Sequence, residues 1–340
     1  MKLLTLVIPS YNVEAFLRRC VERMVPAGDE LDILIVDDGS TDGTPALADA
    51  LAAEHPEIVR VIHQENGGHG EGLNQGIRTA QGIYLKSVDA DDRIDTESLK
   101  KLLDLLRSHA DPKDRADLVI NDYVYDHTDR ESVFQVRYNH VFHQNRMDTW
   151  ETCRSFPLWK QFMIHAMCYR TELLREHGYT LPKHTYYEDN LYIYQPLPWT
   201  EKILYLPCPL YGYTVGQAEQ SVSGKNLTHR MDQNTAMVTR MICTWKWQEI
   251  QQLPRHLRGY IMNFLSGQLL NVSVLHESVR DERSKALHEG MWAEIQAFDP
   301  ELCRRLRRHP TAAVMNSWGP GFRRIAYHIS RAAQKRIGFG

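Results

Sequence analysis

Three aspartates, Asp89, Asp91 and Asp92, stand within four positions of the segment YLKSVDADDRID (84–95). They follow an apolar run that is typical of a buried β-strand. Carboxylates this close together repel one another in partly desolvated surroundings, and a divalent cation bound by oxygen atoms relieves the repulsion. Two interpretations are open: a solvated acidic turn ahead of a helix, and a site that holds Mg²⁺ or Mn²⁺ together with a substrate diphosphate.

A second acidic pair, Asp37 and Asp38, ends another apolar run, LDILIVD (31–37). In an open parallel sheet the carboxyl ends of the strands meet at one edge, where loops converge and ligands bind. We therefore expect the two acidic clusters to share one edge of a sheet.

The elements that must position these acids are short β-rich runs that alternate with helical stretches. The runs are LLTLVI (3–8), LDILIVD (31–37), IVRVI (58–62), IYLKSV (83–88) and DLVIN (117–121). This alternation predicts an α/β fold with a mostly parallel central sheet. We expect Thr44 and Thr96 to cap two of the intervening helices. After about residue 225 the strand patterns end, and helices are predicted over 229–250, 255–276 and 279–297.

Composition excludes several classes of protein. The chain has 340 residues, of which 43% are hydrophobic and 24% charged, and its net charge is only −3, so the whole molecule does not match nucleic acid or an anionic bilayer electrostatically. Six cysteines without a C-x-x-C pair indicate reduced, mostly buried thiols. We find neither a signal-peptide pattern nor the roughly 18 apolar residues of a spanning helix, and so expect a cytoplasmic protein.

Five segments in a fixed order resemble glycosyltransferase family 2: VIPSYN (7–12), ILIVDDGSTDGT (33–44), NGGHGEGLNQGI (66–77), VDADD (88–92) and YEDN (187–190). The resemblance covers roughly residues 1–222. It implies a GT-A domain over 1–224, with a nucleotide-binding part at about 1–121 and an acceptor part at about 122–224, before a helical C-terminal region over 225–340. The Q-x-x-R-W signature of processive synthases is absent, which favours transfer of a single sugar.

The resemblance also assigns roles in binding a nucleotide-sugar donor. Tyr11 matches a position that lines the nucleobase pocket, with packing in the core as the alternative, and Asp38 matches a carboxylate that accepts a hydrogen bond from the base. By the same likeness Asp91 ligates the metal, Mn²⁺ or Mg²⁺. The full set of predicted donor-binding residues is Pro9, Tyr11, Asp38, Asn66, Lys86, Asp89 and Asp91.

The glycine-rich segment departs from the family. Many members read A-R-N where this chain has Gly72-Leu73-Asn74, so the usual arginine is missing. His69 or Lys86 is a candidate for the missing donor, although an exposed histidine and a strand lysine without a special role are the simpler alternatives. The glycines themselves permit close approach of the backbone to a diphosphate.

Sugar transfer requires a base that accepts the proton of the acceptor hydroxyl. The resemblance assigns Asp189 as the catalytic base of an inverting displacement, with Glu188 supporting it or contacting the acceptor. The alternative is an acidic pair that complements a helix dipole. In YGYTVGQAEQSVS (211–223), Tyr213, Gln220 and Ser221 are candidates for contacts with diphosphate or acceptor, and an ordinary packed loop is the alternative.

The C-terminal tail is locally basic, because no acidic residue follows Glu301. Apolar residues recur every three to four positions over 320–337, which predicts an amphipathic helix. Two interpretations remain open: peripheral attachment at the inner face of the plasma membrane, and docking on the protein's own body or on a second subunit of a homo-oligomer. No recognition module for nucleic acid accompanies the tail.

Together these observations predict an inverting, metal-dependent glycosyltransferase. It would move one sugar from a nucleotide-sugar donor, UDP-linked by expectation, to a glycan or lipid-linked saccharide in cell-surface polysaccharide synthesis. A nucleotidyltransferase that makes nucleotide sugars is one alternative, but IPSYNVEAF (8–16) lacks the basic glycine-rich loop such an enzyme needs. A non-catalytic nucleotide-sugar-binding protein is the other.

Overall fold

A computed structural model describes the protein over residues 1–127, 134–158, 160–215, 230–279 and 281–311. The chain divides into two compact units. The first comprises Met1–Arg154 and Phe162–Thr214, and the second comprises Ser155–Gln161 and Val215–Gly340. The domain boundary predicted near residue 224 falls outside the described residues and stays a prediction.

The first unit begins with alternating strands and helices. In chain order they are β1 (Leu4–Ser10), α1 (Glu14–Met24), β2 (Leu31–Asp37), α2 (Thr44–Glu54), β3 (Val59–His63), α3 (His69–Thr79) and β4 (Tyr84–Ser87). The strands lie in the order β3-β2-β1-β4 and all three neighbouring pairs are parallel. The predicted βαβ units are thereby confirmed.

The register of these strands explains why the two acidic clusters meet. Ser10, at the end of β1, pairs with Asp37 at the end of β2, and Val7 pairs with Ser87 at the end of β4. The loops that follow β1, β2 and β4 therefore leave the same edge of the sheet, as expected from the sequence. β1 and β2 read as continuous apolar runs because both their faces are buried.

The rest of the sheet is antiparallel where its pairing is resolved. It contains β5 (Arg93–Ile94), β6 (Leu118–His127), β7 (Phe134–Val136), β8 (Met167–Arg170) and β9 (Ile203–Val215). β8 lies between β4 and β6 and runs antiparallel to both, while β5 is antiparallel to β9. The predicted parallel arrangement thus holds for β1 to β4, whereas the strand predicted over 117–121 has antiparallel partners and the whole sheet is mixed.

Two predicted helix caps are shifted by one residue. The first unit also contains α4 (Thr96–Ser108), α5 (Thr171–Glu176) and α6 (Asp189–Tyr194). Asp95 caps α4, because its carboxylate accepts a hydrogen bond from the Ser98 N–H at 2.8 Å, while the Thr96 hydroxyl donates to the carbonyl of Arg23. Gly43 occupies the cap position of α2, and the Thr44 hydroxyl accepts from the Val13 N–H instead.

The second unit is helical in its described part. Its helices are α7 (Met231–Ile242), α8 (Trp247–Ile250), α9 (Arg255–Val279), α10 (Glu282–Phe298) and α11 (Pro300–Arg308). The three predicted helical stretches are confirmed, although the first is interrupted after Ile242. The basic amphipathic segment predicted over 320–337 lies outside the described residues.

Two further expectations can be compared with the structure. All six cysteines are free, and all except Cys243 are buried, as predicted. Among the described residues, no helix is both long and apolar enough to cross a bilayer.

Candidate active site

The edge formed by the ends of β1, β2 and β4 collects most of the residues predicted to act on a ligand. Asp38 follows β2, Asp89 and Asp91 follow β4, and His69 is the first residue of α3. The Glu188–Asp189 pair reaches the same place from a distant part of the chain, because Glu188 hydrogen-bonds to His69.

Asp38 holds the turn that leads into α3. One of its carboxylate oxygens accepts from the Gly67 N–H at 2.8 Å and from the Gln64 amide at 2.7 Å, and the other accepts from the Gly68 N–H at 2.7 Å. The residue is only 3% exposed. All of these partners belong to the protein, so the contact with a nucleobase predicted for Asp38 remains a prediction.

Asp92 is anchored by the end of β9. The Tyr211 hydroxyl donates to Asp92 Oδ2 at 2.7 Å and accepts from the Asp89 N–H at 3.0 Å, while the Thr214 N–H donates to Asp92 Oδ1 at 2.8 Å. Burial, followed by the charges of Asp89 and Asp91, raises the pKa of Asp92 well above its usual range. Asp92 therefore fixes the loop after β4.

Asp91 differs from Asp92 in having a carboxylate available for a ligand. That carboxylate accepts from its own backbone N–H, and no other hydrogen-bond partner for it lies within the described residues. Burial and the neighbouring charge of Asp89 raise the pKa of Asp91. Both effects disfavour the bare anion, and a bound cation would offset both.

This arrangement fits a divalent ion that is shared with a substrate. Within the described part of the chain, no group of three His, Cys, Asp or Glu side chains is placed to hold a metal by itself. Mg²⁺ and Mn²⁺ favour oxygen ligands, and Mg²⁺ is commonly held by one or two carboxylates with substrate phosphates completing its shell. Asp91 matches such a donor set.

His69 joins two carboxylates, an arrangement not foreseen from the sequence. Its Nδ1 lies 2.7 Å from Glu188 Oε1, and its Nε2 lies 3.3 Å from Asp89 Oδ1. Burial lowers the pKa of His69, but the hydrogen bonds to Asp89 and Glu188 outweigh it and raise that pKa well above its ordinary value. The imidazolium form is therefore favoured between the two acids.

Asp189 has the ionisation that a general base needs. Burial, and after it the charge of Glu188, raises the pKa of Asp189 to about 7, although His69 opposes the shift. The Asp189 side chain accepts from the Asn190 N–H at 2.9 Å. A carboxylate with this pKa gains and loses a proton near neutral pH.

The glycines of NGGHGEGLNQGI make room for the segment 181–188. A Cβ at Gly70 would lie 2.9 Å from the carbonyl oxygen of Pro182 and 3.0 Å from Glu188 Cγ. Gly68 has φ +84°, and the His184 N–H donates to the carbonyl of neighbouring Gly67 at 2.7 Å. These glycines therefore allow the two segments to touch, in addition to any role beside a phosphate.

The remaining predicted residues occupy different environments. Tyr11 is 51% exposed, so the core-packing alternative for it is wrong. Pro9 is half-buried and Asn66 is exposed, with the Asn66 amide donating to the carbonyl of Asp38 at 2.9 Å. Lys86 is fully buried, and its ammonium donates to Asn121 Oδ1 and to the His165 carbonyl.

A group of stacked aromatic rings adjoins the loop after β4 that contains Asp89, Asp91 and Asp92. The imidazole of His165 stacks on Tyr211 and on Tyr213, with ring centroids 5.0 Å and 5.2 Å apart. Burial, and then the charges of Asp92 and the other site aspartates, Asp189 among them, raises the pKa of Tyr213. The hydroxyl of Tyr213 thus lies within the electrostatic field of the aspartates after β4 and of Asp189. The other two candidates, Gln220 and Ser221, lie outside the described residues.

The fold and sequence both have known counterparts. Residues 1–349 of S. aureus TarS superpose with a TM-score of 0.68 at 17% identity, covering 98% of this chain and 92% of that chain. Mannosyltransferase PcManGT from Pyrobaculum calidifontis, in complex with GDP-Man and Mn²⁺, gives a TM-score of 0.52 at 19% identity, covering 93% and 87%. The mixed sheet is that of a GT-A type fold.

The sequence comparison finds a family match over part of the chain. Residues 5–165 match the family model of glycosyl transferase family 2. Glycosyltransferase GlyG of Streptococcus pneumoniae serotype 4 is 37% identical over 138 residues, which are 40% of this chain and 44% of that protein. This chain thus spans less than half the length of that relative. Residues 5–165 thus resemble glycosyl transferase family 2.

Proposed function

We propose that this protein is an inverting, metal-dependent glycosyltransferase that transfers one sugar from a nucleotide-sugar donor to a glycan or lipid-linked saccharide. A UDP-linked donor is our first choice, since the TarS fragment that shares the fold has also been solved with UDP-GlcNAc, at a TM-score of 0.51. Its acceptor would belong to cell-surface polysaccharide synthesis.

One observation carries the proposal: the pKa values of two carboxylates in a single site are shifted in opposite directions. Burial raises the pKa of Asp89, but the hydrogen bond from His69 and the charges of His69 and His165 together outweigh it, so the net shift is downward. The pKa of Asp189 is raised to about 7, chiefly by burial. Paired groups with separated pKa values are typical of sites that divide binding and proton transfer between them.

The proposed reaction is a single displacement. Asp189 would accept the proton of the acceptor hydroxyl as its oxygen attacks the anomeric carbon of the donor sugar. The bond from that carbon to the diphosphate oxygen breaks in the same step with its electron pair, so the configuration inverts. Glu188 would support the base through its place beside Asp189.

Donor binding falls to the residues at the sheet edge. Asp91 would hold Mn²⁺ or Mg²⁺ together with the donor diphosphate, and the cation would supply positive charge that stabilises the leaving group. Pro9, near the end of β1, and Tyr11, just after it, would line the nucleobase pocket. Asp38 and Asn66 would lie beside this pocket and support it by holding the turn that leads into α3.

Purified protein incubated with Mn²⁺, a panel of nucleotide sugars and oligosaccharide or lipid-linked acceptors tests the proposal. We expect transfer with inverted configuration, lost on removal of the metal. Asp189→Asn should lower the transfer rate by about 10²–10⁴-fold with nucleotide affinity nearly unchanged. Asp91→Ala should weaken donor binding only when the metal is present.

Asp104→Asn is the matched control, because Asp104 is an exposed acid on α4 that pairs with Arg107. It should transfer at the wild-type rate. A fully active Asp189→Asn enzyme would remove the base assignment. Formation of a nucleotide sugar from a nucleoside triphosphate and a sugar phosphate, or donor binding without any turnover, would instead favour one of the two alternatives.

A further inference from the structure

We propose that His69 is a positioning residue that ties Glu188, and through it the base Asp189, to the donor side of the site at Asp89. This inference rests on the proposed function and deepens it. It concerns how the base, which belongs to a distant segment of the chain, is held at a defined place relative to the donor.

The bridge joins three separate elements. His69 begins α3, Asp89 lies in the loop after β4, and Glu188 immediately precedes α6. Both ring nitrogens are engaged, Nδ1 with Glu188 Oε1 at 2.7 Å and Nε2 with Asp89 Oδ1 at 3.3 Å. An imidazolium is the one common side chain that donates in two directions from a flat, rigid ring, so it fixes the separation of its two partners.

Glu188 depends on this bridge. Its side chain is only 6% exposed, and within the described residues His69 is the sole hydrogen-bond partner of its carboxylate. A buried carboxylate without a partner is costly, so removal of the ring should displace Glu188. This displacement moves the charge that adjoins Asp189.

Contacts between α3 and the segment 181–188 hold the two sides of the bridge together. Glycine at position 70 lets Glu188 Cγ approach to within 3.0 Å of where a Cβ would lie. The amide of Asn74 and the backbone of Leu181 exchange two hydrogen bonds, of 2.9 Å and 2.7 Å, which hold the start of the segment 181–188 against α3. The contact between His69 and Glu188 is therefore fixed from both sides.

The charges around Asp189 predict a second consequence. Glu188 and Asp89 raise its pKa and His69 lowers it, while the backbone of Asn190 donates a hydrogen bond to it and the hydroxyl of Tyr213 lies in its field. Loss of the imidazolium removes the cation of this group. The base form of Asp189 should then require a higher pH.

Two substitutions separate the two halves of the bridge. Asparagine places its amide nitrogen near the position of Nδ1, and glutamine places its amide nitrogen near that of Nε2. His69→Asn should therefore keep a donor for Glu188, whereas His69→Gln should keep one for Asp89. We expect His69→Gln to lower kcat about 10- to 100-fold with little change in the KM for donor, and His69→Asn to retain more of kcat.

The acid limb of the pH profile of kcat/KM should move to higher pH in His69→Gln. His63→Gln is the matched control, since His63 also bridges two carboxylates, Asp37 and Asp49, but outside the network of the base. It should leave the acid limb where it is in the wild type. A rise in donor KM with unchanged kcat in both His69 variants would overturn the inference in favour of direct contact with the donor.

A measurement without turnover keeps the two proposals distinguishable. The ring ¹⁵N resonances of His69, assigned by their absence in His69→Asn, should show both nitrogens protonated near neutral pH and lose this pattern in Glu188→Gln. A neutral ring, or no response to Glu188→Gln, would refute the bridge. Failure of the wild type to transfer any sugar, with the bridge intact, would refute only the proposed function.

Discussion

The ionisation of Asp189 gives a quantitative expectation for catalysis. Burial and the charge of Glu188 raise the pKa of this carboxyl to about 7. A base acts in its deprotonated form, so kcat/KM should rise with pH and level off above that value. For a pKa of about 7, roughly a tenth of the free enzyme carries the base form at pH 6 and roughly nine tenths at pH 8.

Initial rates of sugar transfer across pH 5 to 9, roughly two units on either side of the expected midpoint, would measure this limb. Ionic strength should be held constant, because screening changes the interaction between Asp189 and its charged neighbours. Nucleotide affinity measured across the same range separates donor binding from proton transfer. Below the midpoint, kcat/KM should fall about tenfold for each unit of pH.

An acid limb with its midpoint near 4, the value of an ordinary carboxyl, would refute the argument that this site desolvates its base. So would a limb that remains unchanged in Asp189→Glu, since the observed ionisation would then belong to another group.

Three further predictions concern the assembly of the site and the stability of the protein. Tyr211→Phe removes the hydroxyl that holds the Asp89 backbone, so urea unfolding should show a loss of about 1–3 kcal/mol, and an unchanged stability would contradict the hydrogen-bond network. Gly70→Ala places a methyl group 2.9 Å from the Pro182 carbonyl oxygen, so activity should fall more than it does in Gly290→Ala, where the space is open. Burial lowers the pKa of His276 to about 4, so the folded state binds its proton less readily than the unfolded chain does. The free energy of unfolding should therefore fall by up to about 3 kcal/mol as pH drops from about 6.5 to about 4. Urea titrations should show that His276→Gln flattens this dependence.

The parallel half of the fold was predictable chiefly because three of its strands, β1, β2 and β4, are buried on both faces. LDILIVD (31–37) is the whole of β2, and each of its residues is buried. The antiparallel half carries a weaker pattern. β8 has only four residues, and nothing in MCYR (167–170) shows that it lies between β4 and β6.

The positions of the acids could be predicted, but not how they are held. Asp91 and Asp189 stand in recognisable segments at strand and helix ends, which a single sequence displays. The bridge through His69 spans 119 residues between the histidine and Glu188, and such a pairing exists only after folding. The spacing of Tyr211 and Tyr213, two residues apart on one strand, is a signal that both rings share a face with the acids.

The contact between α3 and the segment 181–188 has a consequence for engineering this part of the chain. The Asn74 side chain donates to the Leu181 carbonyl and accepts from the Leu181 N–H, and the Gly67 carbonyl accepts from the His184 N–H. A graft of the segment 181–188 from another family member would break these complementary contacts. A working chimera would need to import residues 67–74 from the same parent, so the two stretches form one exchangeable cassette.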